Sequence, residues 1–161
     1  MDYSLIIRRA KPDCDDVKAI KTVMNDAFQK YIQDAGLTVT LDALGETETD
    51  ILKAINEQHV YIAFVDNLPV GSIRVNINYD NNTAYISRFG VCKGYQNIGI
   101  GKSFMNLVDK LLVSKRVKQA MLHTASKYTA LVRFYYGCGF YIESTSCERG
   151  YIRALFIKNY D

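Results

Sequence analysis

Hydrophobic residues recur at helical spacing in four parts of the chain. In the segments between these parts, hydrophobic residues either alternate with polar residues or form short continuous runs. The helical spacing predicts helices over residues 15–35, 47–56, 100–114 and 128–136. Gly36 stands where the C-terminal cap of the first helix is expected. The other pattern, rich in β-branched and aromatic residues, predicts strands over 4–9, 60–65, 70–79, 83–91, 119–124, 139–143 and 151–157.

The order of these elements indicates the fold class. Turn sequences at 66–69 and 80–82 join neighbouring strands into antiparallel hairpins, and 37–45 is predicted as loop. Strand–helix–strand–helix follows, which requires one parallel crossover. We therefore expect a mixed α+β fold, with a mostly antiparallel twisted sheet of about seven strands and helices on both faces. A chain of 161 residues without repeats predicts a single domain over 1–161.

Composition is that of an ordinary soluble protein, with 48% hydrophobic and 23% charged residues. A net charge of +3 does not favour nucleic acid, and apolar runs such as 60–65 are too short to span a membrane. No secretory signal is visible at the N-terminus, so a cytoplasmic location is expected. Four cysteines without CxxC spacing and only two histidines predict free thiols and no metal site.

The segment 91–103 carries the strongest chemical signal. An apolar strand ends there, a loop containing Gly94, Gly99 and Gly101 follows, and an amphipathic helix begins directly afterwards. Backbone N–H groups at a helix start are unpaired and lie at the positive end of the helix dipole. Glycines let an anion approach these groups closely, so the segment is suited to a phosphate or pyrophosphate.

Two common phosphate-binding motifs do not fit this segment. A P-loop would need glycine where Gln96 stands, although Gly101, Lys102 and Ser103 match its end. The dinucleotide fingerprint would need a third glycine where Phe104 stands, and it belongs near the start of a parallel βαβ unit rather than after antiparallel hairpins.

A different motif does fit. The run Gln96-Asn97-Ile98-Gly99-Ile100-Gly101 resembles the Gln/Arg-x-x-Gly-x-Gly/Ala signature of the GNAT superfamily of N-acetyltransferases. The preceding Val91 to Gln96 also resembles that family, except that Lys93 replaces its proline. Further on, Phe134-Tyr135-Tyr136-Gly137-Cys138-Gly139-Phe140 is similar to its Phe-Tyr-x-x-x-Gly-Phe segment. Two linked motifs in the right order are more specific than either alone.

The resemblance implies a binding mode for acetyl-CoA as co-substrate. The backbone of Phe89, Gly90 and Val91 would pair with the pantetheine arm. The amides of Gln96, Asn97, Ile98, Gly99, Ile100, Gly101, Lys102 and Ser103 would hold the pyrophosphate. The Lys102 side chain would add a charge or simply face solvent, and the Ser103 hydroxyl would bind phosphate, cap the helix or face solvent.

The resemblance also implies that Tyr135 is the general acid that protonates the departing CoA thiolate. The general base stays open, because Tyr85 stands where some family members have glutamate. The candidates are a water relay, one of the acids Glu46, Glu48 and Asp50, and His123. Acids at a helix start are favourable caps, however, and a lone strand histidine is more often structural.

The expected activity is acetyl transfer from acetyl-CoA to a primary amine by direct attack in a ternary complex. The alternative is a catalytically weak acyl-CoA-binding or sensing protein of the same fold. The acceptor, a small-molecule amine or a protein or peptide amine, cannot be read from the motifs. A homodimer is the oligomeric state that base rates favour, and no nucleic-acid or membrane partner is expected.

Overall fold

The structure is a computed structural model of the chain and describes residues 3–39 and 41–160. The described residues form four helices, one 3₁₀ turn at Asp42–Gly45 and seven strands. The helices are α1 (Cys14–Ala35), α2 (Glu48–Glu57), α3 (Ile100–Ser114) and α4 (Thr129–Gly137). The strands are β1 (Leu5–Arg9), β2 (His59–Val65), β3 (Leu68–Asn78), β4 (Thr83–Val91), β5 (Gln119–Ala125), β6 (Tyr141–Ser146) and β7 (Arg153–Asn159).

The seven strands form one sheet in the order β1-β2-β3-β4-β5-β7-β6. Every neighbouring pair is antiparallel except β4 and β5, which are parallel because α3 connects them as a crossover. The expected fold class, a mostly antiparallel sheet with one parallel crossover, is confirmed.

Helices cover both faces of the sheet, and β2 shows how its side chains are divided between them. Val60 and Ile62 pack with α1 and α2, whereas Ala63 and Val65 belong to the core formed with α3 and α4. Successive side chains of a strand point to opposite faces, so the apolar run in β2 supplies both cores.

Local sequence explains where the first two helices begin. The Asp13 side chain accepts a hydrogen bond of 2.9 Å from the amide of Asp16, which caps α1. Thr47 and Asp50 form a capping box at the start of α2. Gly36 ends α1 with a φ of 65°, a left-handed conformation that glycine adopts without strain. None of the described helices combines the length and apolarity needed to cross a membrane.

Some predicted boundaries differ from the structure. The segment 37–45, predicted as loop, contains the 3₁₀ turn Asp42–Gly45. The turn predicted over 66–69 is only Asp66–Asn67, both with positive φ, so Leu68 and Pro69 already belong to β3. Two left-handed residues match the twist of the flanking strands, which allows the strands to run closer to the turn. The last two strands lie about two residues later than predicted.

Helix α1 lies close to the end of β4 at one point. A Cβ built on Gly90 would lie 2.7 Å from the Cβ of Ala27, closer than two carbon atoms can pack. The backbone of β4 can therefore meet α1 only because residue 90 has no side chain.

We expect Gly90→Ala to lower the free energy of unfolding by about 1–3 kcal/mol, since the added methyl group overpacks the α1–β4 contact. Ala27→Gly alone should cost about 1 kcal/mol through helix propensity. In the double variant Gly90→Ala/Ala27→Gly the clash is absent. Its loss of unfolding free energy should therefore be smaller than the sum of the losses in the two single variants. Urea unfolding of the four proteins measures this cycle, and additive losses would contradict the packing argument.

Candidate active site

Strands β4 and β5 pair only at their beginnings. Three residue pairs, Thr83 with Gln119, Ala84 with Ala120 and Tyr85 with Met121, make up their parallel register. Beyond Tyr85 the two strands separate, although β4 continues to Val91 and β5 to Ala125. The edge of β4 that faces β5 is thus left unpaired among the described residues.

A bulge in β4 accompanies this separation. Ser72 pairs with Gly90 but Arg74 pairs with Ser87, so β4 has one residue more than β3 over the same length. Within the bulge, Arg88 has a φ of 50°, which few residues other than glycine adopt. A bulge bends and twists its strand, so it turns the second half of β4 away from its original course.

A cleft of about 500 Å³ lies beside the end of β4, between α1, the start of α3 and α4. We call it the outer cleft. Eight of the residues predicted to bind the co-substrate line it: Phe89, Gly90, Val91, Gln96, Asn97, Gly99, Gly101 and Lys102. Ile98, Ile100 and Ser103 do not. Ile98 is exposed, and the Ile100 side chain is buried in the core.

Consecutive backbone amides beside the outer cleft lack acceptors. The N–H groups from Gln96 to Lys102 have no hydrogen-bond acceptor among the described residues, whereas that of Ser103 donates to the Gly99 carbonyl at 3.0 Å. The Ser103 amide is therefore not one of the free donors. Asn97 and Gly99 have φ values of 62° and 93°, and such left-handed residues make concave amide surfaces that bind anions.

The loop is attached to the rest of the molecule by several hydrogen bonds. The Gln96 side chain donates to the Val91 carbonyl at 3.1 Å, which links the loop back to the end of β4. The Lys93 amide donates to Asp26 of α1 at 2.6 Å, and the Tyr3 hydroxyl donates to the Ile98 carbonyl at 3.0 Å. These contacts hold the free amides in place before any ligand binds.

The two glycines of the motif serve different purposes in the structure. A Cβ on Gly99 would meet nothing within 4 Å, so glycine is favoured there by its positive φ. A Cβ on Gly101 would lie 3.3 Å from the rings of both Phe134 and Phe89. Gly101 thus allows α3 to start close against an aromatic pair.

A second, smaller cavity of about 110 Å³ lies where β4 and β5 have separated. We call it the inner cavity. Tyr85, His123 and Tyr135 are among the residues that line it. It shares four lining residues with the outer cleft: Phe28, Tyr31, Phe89 and Leu131. The two spaces therefore adjoin, and a long ligand in the outer cleft could present one end to the inner cavity.

Tyr135 is 4% exposed and lies among the rings of Phe89, Phe134, Phe140 and Phe156. Its hydroxyl makes no hydrogen bond to any residue that the structure describes. Burial raises the pKa of Tyr135 well above its ordinary value, so the phenol keeps its proton at neutral pH. The neighbouring Tyr136 is half exposed and lines neither space.

His123 is half-buried, and its Nδ1 lies 2.5 Å from the Tyr85 hydroxyl. Burial, together with the nearby charges of Arg153 and Arg149, lowers the pKa of His123 below its ordinary value, and Glu148 opposes this weakly. The imidazole is accordingly neutral at neutral pH and can accept a proton.

The three carboxylates considered as bases lie outside the inner cavity. Glu46 is held by Arg74 through two hydrogen bonds of 2.9 and 2.8 Å and lies 3.5 Å from Arg88. Burial alone would raise the pKa of Glu46, but these two arginines outweigh it and lower that pKa. Asp50 is occupied by the cap of α2, and Glu48 is exposed on its first turn. Among the four side-chain candidates, the structure brings only His123 to the cavity.

Several charged residues of the inner cavity carry no sequence motif: Asp42, Arg88, Arg149 and Arg153. They come from the 3₁₀ turn, the bulge, the β6–β7 connection and β7, and local sequence does not show that these segments meet. In the part of the chain that the structure describes, no group of three or more His, Cys, Asp or Glu residues could hold a metal ion.

Comparison with solved structures places this fold among acetyltransferases. PaiA N-acetyltransferase from Thermoplasma acidophilum, solved with coenzyme A, superposes with a TM-score of 0.83 at 21% identity, covering 98% of this chain and 99% of that one. A spermidine N-acetyltransferase SpeG chimera from Vibrio cholerae and hSSAT gives 0.75 at 15% identity, covering 96% and 95%. At these identities the likeness concerns the fold.

An acetyltransferase from Bacillus anthracis, solved with acetyl coenzyme A, is 26% identical to this chain and gives a TM-score of 0.61. The match covers 68% of this chain and 67% of that one. A search of curated protein sequences finds no match. A family model described as "Acetyltransferase (GNAT) family" matches residues 19–140, most of the chain. The chain therefore belongs to the GNAT acetyltransferase family, as its two motifs predict, and its expected co-substrate is the acetyl donor of that family, acetyl-CoA.

Proposed function

We propose that this protein transfers the acetyl group of acetyl-CoA to a primary amine, by direct attack of the amine within a ternary complex. One observation carries the proposal: the free amides of residues 96–102 border an outer cleft that adjoins an inner cavity containing both a protonated phenol and a neutral imidazole. An anion-binding loop, a proton donor and a proton acceptor are the parts that such a transfer needs.

The chain offers two kinds of backbone contact to the co-substrate. The free amides of Gln96 to Lys102 would bind the pyrophosphate, helped by the positive end of the α3 dipole. The unpaired edge of β4 at Phe89, Gly90 and Val91 would pair with the amide groups of the pantetheine arm, as an added strand would. The exposed ammonium of Lys102 lies on the first turn of α3 and would add attraction for phosphate. The Ser103 amide takes no part.

We assign the proton acceptor to His123. An amine attacks a thioester only in its neutral form, and it loses a proton as the new C–N bond forms. His123 is the one candidate side chain that lines the inner cavity, and its lowered pKa leaves it unprotonated at neutral pH. The Tyr85 hydroxyl, 2.5 Å from its Nδ1, orients the ring.

We assign the proton donor to Tyr135. When the tetrahedral adduct collapses, the bond from carbon to sulfur breaks and the sulfur leaves as a thiolate, which needs a proton. Tyr135 supplies a phenol that burial keeps protonated and that no other described group holds by a hydrogen bond. It lines the inner cavity and packs against Phe89 of β4, one of the residues that line both spaces.

CoA or acetyl-CoA should raise the melting temperature, because it binds only the folded state. At a concentration a hundred times Kd, this binding adds about 2.7 kcal/mol to the free energy of unfolding. ATP, NAD and GTP should not raise the melting temperature. Gly99→Val should reduce this effect, because valine disfavours a φ of 93° in the anion-binding loop. Gly94→Val is the matched control: its φ is 90° and its Cβ also meets open space, but it does not line the cleft. Stabilisation by ATP instead of CoA, or equal losses in both variants, would contradict the assignment.

Tyr135→Phe should lower kcat about tenfold to a hundredfold while CoA affinity and unfolding free energy change little. The substitution keeps the ring packing, and the hydroxyl has no described hydrogen-bond partner to lose. Tyr136→Phe is the control, since it removes the same group from an exposed position one residue away. Equal small effects on kcat would make Tyr135 a packing residue and favour a protein that binds acyl-CoA without efficient turnover.

The pH dependence of kcat/KM tests His123. The base must be unprotonated, and its pKa is lowered, so wild-type activity should fall as pH decreases through a value below about 6.5. The amine acceptor must also lose its proton before it attacks, so its own titration contributes a second pH dependence to kcat/KM. His123→Gln should remove the step and reduce kcat about tenfold or more. His59→Gln provides the control, because the other histidine is also half-buried but lines neither space. An unchanged low-pH limb in His123→Gln would transfer the role to a water relay.

A further inference from the structure

The inner cavity carries more positive than negative charge. Three arginines line it: Arg88 on β4, Arg149 in the β6–β7 connection and Arg153 on β7. Asp42 is the one carboxylate among the described residues that line it. Exposed Glu148 lies near enough to influence His123, but less than Arg153 and Arg149 do. A ligand that enters the cavity therefore meets a net positive surface.

Two of these arginines already have acidic partners. Arg149 donates to Asp42 at 2.6 Å, at the exposed rim of the cavity. Arg88 lies 3.5 Å from Glu46, whose carboxylate Arg74 holds through two hydrogen bonds. The Arg149 contact is a hydrogen bond, whereas the Arg88 contact is an ion pair without one, since the buried Arg88 Nε has no hydrogen-bond partner among the described residues.

Arg153 differs from the other two. It is half-buried, it lines the cavity, and it makes no salt bridge or side-chain hydrogen bond to any residue within 3–39 and 41–160. On β7 it pairs with Ala125, two residues beyond His123 on β5, so its side chain and the imidazole share one face of the sheet. A guanidinium without a carboxylate partner gains from binding an anion.

We propose that the amine acceptor is a small molecule that also carries a carboxylate, and that Arg153 binds this carboxylate. The inference rests on the proposed acetyl transfer and adds the class of acceptor to it. A guanidinium matches a carboxylate through two parallel hydrogen bonds, and a single free arginine suits a single negative charge. The volume of about 110 Å³ accommodates a short amino acid.

The same charges disfavour polyamine acceptors. A polyamine would bring further ammonium groups next to an unpaired guanidinium, where like charges repel. The Vibrio cholerae chimera is named for spermidine, but at 15% identity it shares the fold alone with this chain. Spermidine is therefore used in the test as the comparison substrate, for which we expect poor acetylation.

The test uses amino acids from glycine to 6-aminohexanoate, each with its own carboxamide, and spermidine. Acetylation by the full-length protein is measured as CoA release, with rates compared at equal concentrations of unprotonated amine. We expect at least one amino acid to exceed its carboxamide and spermidine in kcat/KM, by on the order of tenfold or more. Binding of the same compounds to the CoA-loaded protein, measured by calorimetry, should show the same order without any need for turnover.

Arg153→Gln should abolish this preference mainly through KM, and Arg153→Lys should retain part of it. Arg133→Gln is the matched control, because it removes the same charge from an exposed position on α4 outside both cavities. Retained kcat for carboxamides in Arg153→Gln shows that the variant is folded.

The inference would be overturned if carboxamides or spermidine were acetylated as well as, or better than, the amino acids. It would also be overturned if the preference for amino acids survived in Arg153→Gln, or if no amino acid were either acetylated or bound. Failure of the proposed function itself looks different, because the wild-type protein would then release no CoA with any of the amines, carboxamides and spermidine included, whether or not it binds acetyl-CoA.

Discussion

The separation of β4 from β5 is the constraint on which the site depends. Parallel pairing stops after three residue pairs, and the bulge at Arg88 turns the rest of β4 away. A left-handed conformation at arginine costs free energy, so it persists only where other contacts hold it. Here Arg88 meets Glu46, and Glu46 is bound on both oxygens by Arg74 of β3. This ion cluster links β3, β4 and the residue that follows the 3₁₀ turn, and it lies beside the opening.

The opening places two titratable groups in surroundings that shift the pKa of each. Tyr135 reaches the gap from α4 on one face, and its burial among aromatic rings keeps the phenol protonated. His123 reaches it from β5, where burial and two arginines keep the imidazole neutral. At neutral pH a phenol is protonated and an imidazole is mostly neutral, and both shifts strengthen this difference, which a proton donor and a proton acceptor require. In the proposed reaction, acid and base act from these two sides of the gap.

The glycines near the gap show how much of the site the motif predicts. Gly99 was assigned to the close approach of an anion, and the structure adds a conformational reason for glycine, because its φ is 93°. Gly90 and Gly101 were assigned to the co-substrate, and they do line the outer cleft, yet their missing side chains also make room for Ala27 and for the rings of Phe89 and Phe134. Packing partners of this kind lie in other elements, so a motif cannot reveal them.

The amino-acid sequence by itself determined the elements, the order of the hairpins, the parallel crossover and the family. These depend on short-range signals: side-chain periodicity, helix caps such as Asp13 and Thr47, and the backbone needs of residues 96–101. Tertiary structure decided which base candidate reaches the cavity, because Glu46 is held by arginines far along the chain whereas His123 is not. It also decided the charge of the inner cavity, since Asp42, Arg88, Arg149 and Arg153 meet only when the 3₁₀ turn, the bulge and β7 pack together. Contacts between residues distant in sequence are set by the whole fold, and no local pattern encodes them.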